Sequence, residues 1–330
     1  MRTRLTSVVA LAALTLAGCL SLSPNPTSTA ADRHLAEEAE AAIELAWGTP
    51  ANEIANMVTY ESDYISILKG EVDSTPEQLD FARRQMTNVT AVCQGVAAWA
   101  KPPRFRLPYA QSALTIDGKT DEPAWQNAAV FRTLYPFNKS EPASEPATTF
   151  RVLWNEEYMF FAFECADTDV QAKAVERDGP VWEWDCVEVF LLPEFEAGQY
   201  WEVDVTPAGS IYDALNAKNF RGWGPLARPE LSLKGLQTAC AVDGTINNSD
   251  DVDGGYTIEI AVPFSQIPSY TRGNVPQPGD TLQMMLIRID RNAAVNTPYA
   301  FTPLHNWGHN IWNHAQAELT RSATGEPSTQ

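Results

Sequence analysis

The rhythm of apolar and polar positions changes once along the chain, at Lys101-Pro102-Pro103. Before that point the spacing is helical. His34 to Trp47 is rich in Ala, Glu and Leu, with Leu35, Ala42, Ile43, Leu45 and Ala46 as apolar positions. Ser74-Thr75-Pro76-Glu77 reads as a helix start, because the first turn has N–H groups without partners and tolerates proline. Leu79, Phe81, Ala82, Met86, Val89, Val92 and Val96 follow at near-helical spacing and predict an apolar face. Residues 33–102 are therefore expected to form a helical hairpin or spacer.

Beyond Pro103 the pattern is short strands and turns. Strands are predicted over 149–154 and 158–164 with Asn155-Glu156-Glu157 between them, and over 187–192 and 200–205. Further strands are predicted over 231–242, 256–262 and 281–290, separated by Asp243-Gly244, Asp253-Gly254-Gly255 and Pro278-Gly279-Asp280. Many short strands with few helices predict an antiparallel β-sandwich over residues 103–322, mainly β, preceded by the helical segment.

The N-terminus follows a different logic. Arg2 and Arg4 precede an apolar run from Val8 to Leu16, too short for a membrane-spanning helix. The run ends in Leu16-Ala17-Gly18-Cys19, which resembles a bacterial lipobox. Residues 1–19 are expected to be a lipoprotein signal peptide, with lipidation at Cys19 and a membrane anchor through it. Leu20 is not an Asp-type inner-membrane retention signal, so the expected location is the outer membrane or cell surface. The Ser-, Thr- and Pro-rich residues 20–32 are expected to be a flexible tether.

Charge narrows the partners. The 330 residues carry a formal net charge of -19, which repels phosphate backbones and argues against nucleic acid. Ten tryptophans are a heavy dose for an exported protein. Cys93, Cys165, Cys186 and Cys240 have no CxxC spacing, and export permits three disulfide connectivities or free buried thiols.

Five segments in order carry a family signal: LTIDGKTDEPAWQNA, FRVLWNEEYMFFAFECADTD, VWEWDCVEVFLLPE, YWEVDVTPAGSIYDA and GGYTIEIAVPFSQI. Together they resemble the family 9 carbohydrate-binding modules of the DOMON-like superfamily, across residues 105–320. The resemblance implies a sandwich of DOMON-like or jelly-roll type that binds polysaccharide or oligosaccharide, often braced by calcium. It also implies an accessory role beside glycoside hydrolases rather than catalysis.

Within that resemblance the sugar-stacking tryptophan falls on Trp182, the sugar-contacting glutamate on Glu188, and a second tryptophan on Trp307. Trp184, two residues beyond Trp182, is expected to extend the platform if the chain there is extended. Trp125 and Trp154 are expected in the core, and Trp201 is open between the two roles. Strand alternation puts Val187, Val189 and Leu191 on one face and Cys186, Glu188 and Phe190 on the other. Two departures stand out. Sugar-gripping members carry Arg and Asn where this chain has Glu202 and Asp204, and the family's usual Pro-x-x-Phe-Gly ending is replaced by Ala315-Gln316-Ala317-Glu318. Asp204 is retained as a candidate ligand residue.

Asp250, Asp251 and Asp253 form an acidic turn of hard oxygen donors and are the candidate structural calcium site. His305, His309 and His314 are a weaker metal candidate. Two other functions are weighed. A haem-b electron carrier would draw on Met159, Met284, Met285 and the C-terminal histidines. A glycoside hydrolase would need two carboxylates across a scissile bond, and 42 acidic residues always offer pairs.

Overall fold

In the computed structural model of the chain, the described residues are 28–47, 62–98, 103–137, 139, 141–192, 199–217, 226–267, 270, 274–291, 296–304 and 308–321. Cys19, Trp223, His305 and Trp307 lie outside them, as do the side chains of residues 44–47, 62, 63, 92, 95–98, 296 and 312.

The described residues of the N-terminal segment form three helices: α1 (Ala30–Trp47), α2 (Ser62–Lys69) and α3 (Pro76–Ala98). Helix α1 begins inside the expected tether because Thr29-Ala30-Ala31-Asp32 forms a reciprocal cap. The Thr29 amide donates to Asp32 Oδ2 (2.8 Å), and the Asp32 amide donates to Thr29 Oγ1 (3.2 Å). Helix α3 starts at the proline, as expected, behind a second such box. There the Thr75 amide donates to Gln78 Oε1 (2.8 Å) and the Gln78 amide to Thr75 Oγ1 (3.2 Å). Leu79, Ala82, Met86, Val89 and Cys93 recur every three or four residues and are buried. Phe81 departs from the expected face: it is exposed and meets Tyr64 edge-on, with centroids 5.5 Å apart. Arg83 donates twice to Asp32 (2.6 and 2.9 Å), fastening α3 to α1. No described helix is long and apolar enough to cross a membrane.

Residues 104–320 form a β-sandwich. Its larger sheet contains β1 (Arg104–Pro108), β3 (Tyr135–Pro136), β6 (Cys186–Leu192), β7 (Gln199–Val205), β8 (Ile211–Ala217), β9 (Leu226–Arg228), β12 (Thr281–Arg291), β13 (Asn296–Ala300) and β14 (Ala315–Thr320). The order is β1-β14-β12-β6-β7-β8-β9, with β13 pairing β12 and β3. The smaller sheet is β10-β11-β5-β4-β2, from β2 (Ala129–Phe131), β4 (Thr148–Trp154), β5 (Tyr158–Cys165), β10 (Gln237–Asp243) and β11 (Gly255–Pro263). The ladders are antiparallel except β1 with β14, which is parallel.

The expected strands are present with one correction. Residues 231–236 are not strand, and β10 starts at Gln237. Gly235 there adopts φ +86°, a left-handed turn conformation that ends any strand. Strands β1–β3, β8, β9, β13 and β14 went unpredicted: most are short, and β8 lacks a clear two-residue alternation.

The core lies between the sheets. Trp154 is fully buried, and its indole N–H reaches Leu107 O (2.9 Å) and Thr320 O (3.1 Å), tying the smaller sheet to β1 and β14. Trp125 donates to Glu259 Oε1 (3.0 Å), while Glu259 Oε2 accepts from the amides of Asp117 and Gly118 (2.9 and 2.8 Å). The DGKTDEPAW segment is thereby sewn onto β11. Trp201 is core too, donating to Gln266 O (2.8 Å). All four described cysteines are free thiols, three of them buried.

Candidate functional site

Strands β6, β7 and β8 lie side by side, so their registers set out a grid on the outer face of the larger sheet. Glu188 stands opposite Asp204, and Asp204 opposite Tyr212. One row along, Phe190 stands opposite Glu202, and Glu202 opposite Ala214; Tyr200 pairs with Asn216. Directly opposite residues share a face, so Glu188, Glu202, Asp204, Tyr212, Tyr200 and Asn216 all point the same way. Val187, Val189, Val203 and Val205 fill the core on the other side.

This outer face is recessed rather than flat. Glu188 is 7% exposed, Glu202 6% and Asp204 1%. Part of the cover comes from the segment after residue 307. A Cβ on Gly308 would sit 2.6 Å from the Phe190 ring, so only glycine allows the chain to close this tightly. His309 packs edge-on against Phe190 at 5.3 Å.

The three acids are held differently. Glu202 Oε2 accepts from Asn216 Nδ2 (2.8 Å), and His309 Nε2 lies 3.5 Å from Glu202 Oε1. His309 Nδ1 is 2.8 Å from the Tyr200 hydroxyl. Burial pushes His309 down to about 4, so the ring is neutral at ordinary pH. A neutral ring with its proton on Nε2 serves both partners, donating to Glu202 and accepting from Tyr200. Asp204 has neither oxygen matched to a donor. Burial first, then the charge of Glu202, pushes Glu188 up to about 8, with Arg291 pulling it back. Burial pushes Glu202 up to about 7, against the Asn216 bond. Asp204 is raised well above the usual carboxylate range by burial, then by Glu188 and Glu202.

Trp182 borders this acid grid. It is 42% exposed, on a 3-10 turn spanning Val181–Glu183 just before β6. Its ring meets Tyr212 edge-on at 5.3 Å, and Tyr212 is the cross-strand partner of Asp204. Arg291, at the end of β12, donates to Trp182 O from Nε and Nη2 (3.3 and 3.2 Å) and steadies the turn. Trp184 is half-buried, just beyond that turn, and less exposed than Trp182. The expected shared direction assumed extended chain, whereas a 3-10 turn rotates successive side chains by about 120°.

The calcium expectation at Asp250, Asp251 and Asp253 does not fit the geometry. Asp250 and Asp251 are exposed, while Asp253 is buried with its carboxylate spent on the amides of Val170 (2.8 Å) and Thr245 (2.7 Å). Among the described residues, three metal-capable oxygens converge within 4.8 Å only at Asp167, Asp185 and Asp290. That cluster already holds a cation: Arg288 Nη2 lies 2.9 Å from Asp167 Oδ2 and 3.4 Å from Asp290 Oδ2. Asp185 accepts from the amides of Gln171 (2.6 Å) and Arg291 (2.5 Å). Each of these three carboxylates therefore already has a donor within the fold. Of the two described C-terminal histidines, His314 bonds Gly308 O through Nε2 (2.8 Å) and His309 lies 2.8 Å from the Tyr200 hydroxyl through Nδ1.

A separate groove of about 830 Å³ opens on the smaller sheet, lined by Lys119, Thr120, Arg132, Thr149 and Glu164 among others. Its Glu164 is already engaged by Thr120 (2.6 Å) and Arg151 (3.1 Å), and its one aromatic lining residue, Tyr256, is buried. It offers no stacking surface, and the Trp182 face is the stronger candidate.

Sequence reasoning named Trp182, Glu188, Glu202 and Asp204, and the structure brings these four into one neighbourhood. It missed Tyr200, Tyr212 and Asn216 as members of the same face. The signal was available in Thr206-Pro207-Ala208-Gly209, a turn that folds β8 back on β7.

Comparison with known proteins bears on this architecture. The sequence profile described as "Carbohydrate family 9 binding domain-like" matches residues 116–317, which include both sheets' central strands and the candidate face. Among solved structures, a Bacteroides uniformis protein with a provisional carbohydrate-binding designation is similar at 14% identity and a TM-score of 0.54. The match covers 66% of this chain and 99% of that one. Two structures of a family 9 carbohydrate-binding module from Caldicellulosiruptor kristjanssonii also align. The complex with cellotriose has 13% identity, a TM-score of 0.45, and coverage of 66% and 94%. The complex with glucose has 15% identity, a TM-score of 0.45, and coverage of 66% and 97%. No curated protein matches the chain at a significant level.

Proposed function

This chain belongs to the carbohydrate family 9 binding domain-like family, and from that premise we propose that it binds a poly- or oligosaccharide without cleaving it. The ligand lies against the outer face of β6, β7 and β8. The observation that carries this reading is one exposed indole beside recessed carboxylates on strands that the family profile spans. A pyranose ring has an apolar C–H face and a rim of hydroxyls. Trp182 offers the flat partner for the first, and Glu188 and Asp204 offer strong acceptors for the second. Glu202, fastened by Asn216 and His309, orients that group rather than meeting the sugar first.

The wider role is that of a capture module at the cell envelope, anchored through Cys19 and serving partner glycoside hydrolases. Replacement of Cys19 by Ser is expected to move the protein from the membrane to the soluble fraction. Retention of the variant in the membrane would defeat the anchor.

Calorimetric titration of the purified protein with mono- and oligosaccharides tests the binding reading. One sugar is expected to bind, and Trp182→Ala to weaken it about fivefold, in line with roughly 1 kcal/mol for a lost stacking contact. A folded protein that binds no sugar in the panel defeats the reading.

A further inference from the structure

The acid grid is poorly matched to a neutral ligand. Three carboxylates share one recessed face, and no Lys or Arg forms an ion pair with any of them among the described residues. The guanidinium whose charge acts on Glu188, Arg291, donates from Nε and Nη2 to the carbonyl of Trp182 rather than to the acid. The neighbours that do reach an acid, Asn216 and His309, are neutral. Asp204 is the decisive member. It is 1% exposed, faces the site between Glu188 and Tyr212, and leaves both oxygens without a donor. A buried acceptor left unmatched is costly, and native proteins keep such groups where a ligand completes them.

We propose that the sugar recognised here carries a free ammonium group, an unacetylated hexosamine or an oligomer of it, with the ammonium seated between Asp204 and Glu188. This rests on the carbohydrate-binding reading above and adds the charge of the ligand to it. An ammonium brings three donors and a positive charge, which together meet what Asp204 and Glu188 lack. Trp182 then takes the sugar's apolar face, and its ring attracts a nearby cation as well. A neutral sugar supplies hydroxyl donors alone and no charge to hold the acids ionised. An acidic sugar is disfavoured outright. The net charge of -19 draws cationic ligands toward the surface in the same sense.

The probes are glucosamine and its tetramer, set against N-acetylglucosamine, glucose and their tetramers, titrated into the full protein at fixed ionic strength. The amino sugar is expected to bind at least about tenfold more tightly than either neutral counterpart, the scale of a charge-assisted pair in a recessed site. Asp204→Asn, close in shape, is expected to abolish that preference, so that glucosamine and glucose bind the variant with equal affinity. Glu188→Gln gives a second variant should Asp204→Asn not fold, with thermal melting as the control for both. Equal binding of glucosamine and glucose overturns the charge inference and leaves the carbohydrate reading standing. An amino-sugar preference that survives both variants overturns the assignment to these residues. Silence from every sugar overturns both readings together.

Discussion

Glu188, Glu202 and Asp204 show how one strand register converts ordinary acids into a coupled group. Each would be an unremarkable surface carboxylate if its strand lay elsewhere. Placed on adjoining strands under the segment that carries Gly308 and His309, all three are raised above the usual carboxylate range. Asp185 is likewise raised to about 8, by burial and then by Asp167 and Asp290, against two backbone bonds. Acids of this kind bind protons more tightly folded than unfolded, so between about pH 4 and 8 stability falls as pH rises. The buried histidines act in the other direction. His309 and His314 are pushed down to about 4 by burial, so stability falls as pH drops from about 6.5 toward 4. The four raised acids outweigh the two histidines, so the expected net profile is a stability that falls from about pH 5 toward pH 8, an alkaline limb read from urea midpoints across pH 4–9. Glu188→Gln is expected to make that limb shallower. An alkaline limb as steep in the variant as in the wild type would show that Glu188 is not among its sources.

At the scale of single elements, glycine positions set how closely segments meet. Gly255 opens β11 at φ +121°, and a Cβ there would lie 2.0 Å from Cys165 O at the end of β5. Gly255→Ala is expected to cost at least about 1–3 kcal/mol, through strained backbone and a forced clash. Chemical denaturation would report this as a lower midpoint with little change in slope. Gly308 makes the same argument at the site. Its alanine variant is expected to push the 308–314 segment off Phe190 and weaken sugar binding, with a smaller loss of stability than at Gly255. Unchanged sugar affinity in that variant would detach the segment from the site. Strand β6 also explains a departure from simple patterning. It is buried on both faces, so Glu188 lies under cover rather than in solvent.

Across the whole molecule, the sandwich is held by polar links between its sheets as well as by its apolar core. Arg288 on β12 is fully buried and reaches Thr148 Oγ1 on β4 (2.8 Å) and Asp167 just beyond β5 (2.9 Å). Arg288→Leu leaves Asp167, Asp185 and Asp290 facing one another without a cation. Loss of one partner from a buried charge network typically costs about 3–5 kcal/mol. Equilibrium unfolding is expected to show a loss of that size, and a near-neutral result would mean that the acids are protonated in the native state. The helical segment joins the sandwich where α3 meets the 3-10 turn spanning Ile311–Asn313, close behind His309.

The sequence by itself determined the class and much of the frame. Strand alternation in 149–164, 187–192, 200–205 and 256–262, with glycine and asparagine turns between, is a local property that survives any packing. The helix start at Pro76 and the core roles of Trp125 and Trp154 were legible for the same reason, since capping and large apolar volume each allow few solutions. The earlier start of α1 rests on a box of Thr29 and Asp32 that was equally local and went unread. Other features depended on long-range placement. Whether Asp253 could serve a cation turned on amides 83 and 8 residues away. Whether four cysteines pair turned on where four separate elements carry them, and they remain apart as free thiols. The meeting of Trp182, Tyr212, Asp204 and Glu188 turned on the order β6-β7-β8. Neighbours in a sheet are chosen by the packing of the whole chain, so sequence could name these residues but only the tertiary structure could set them on one face.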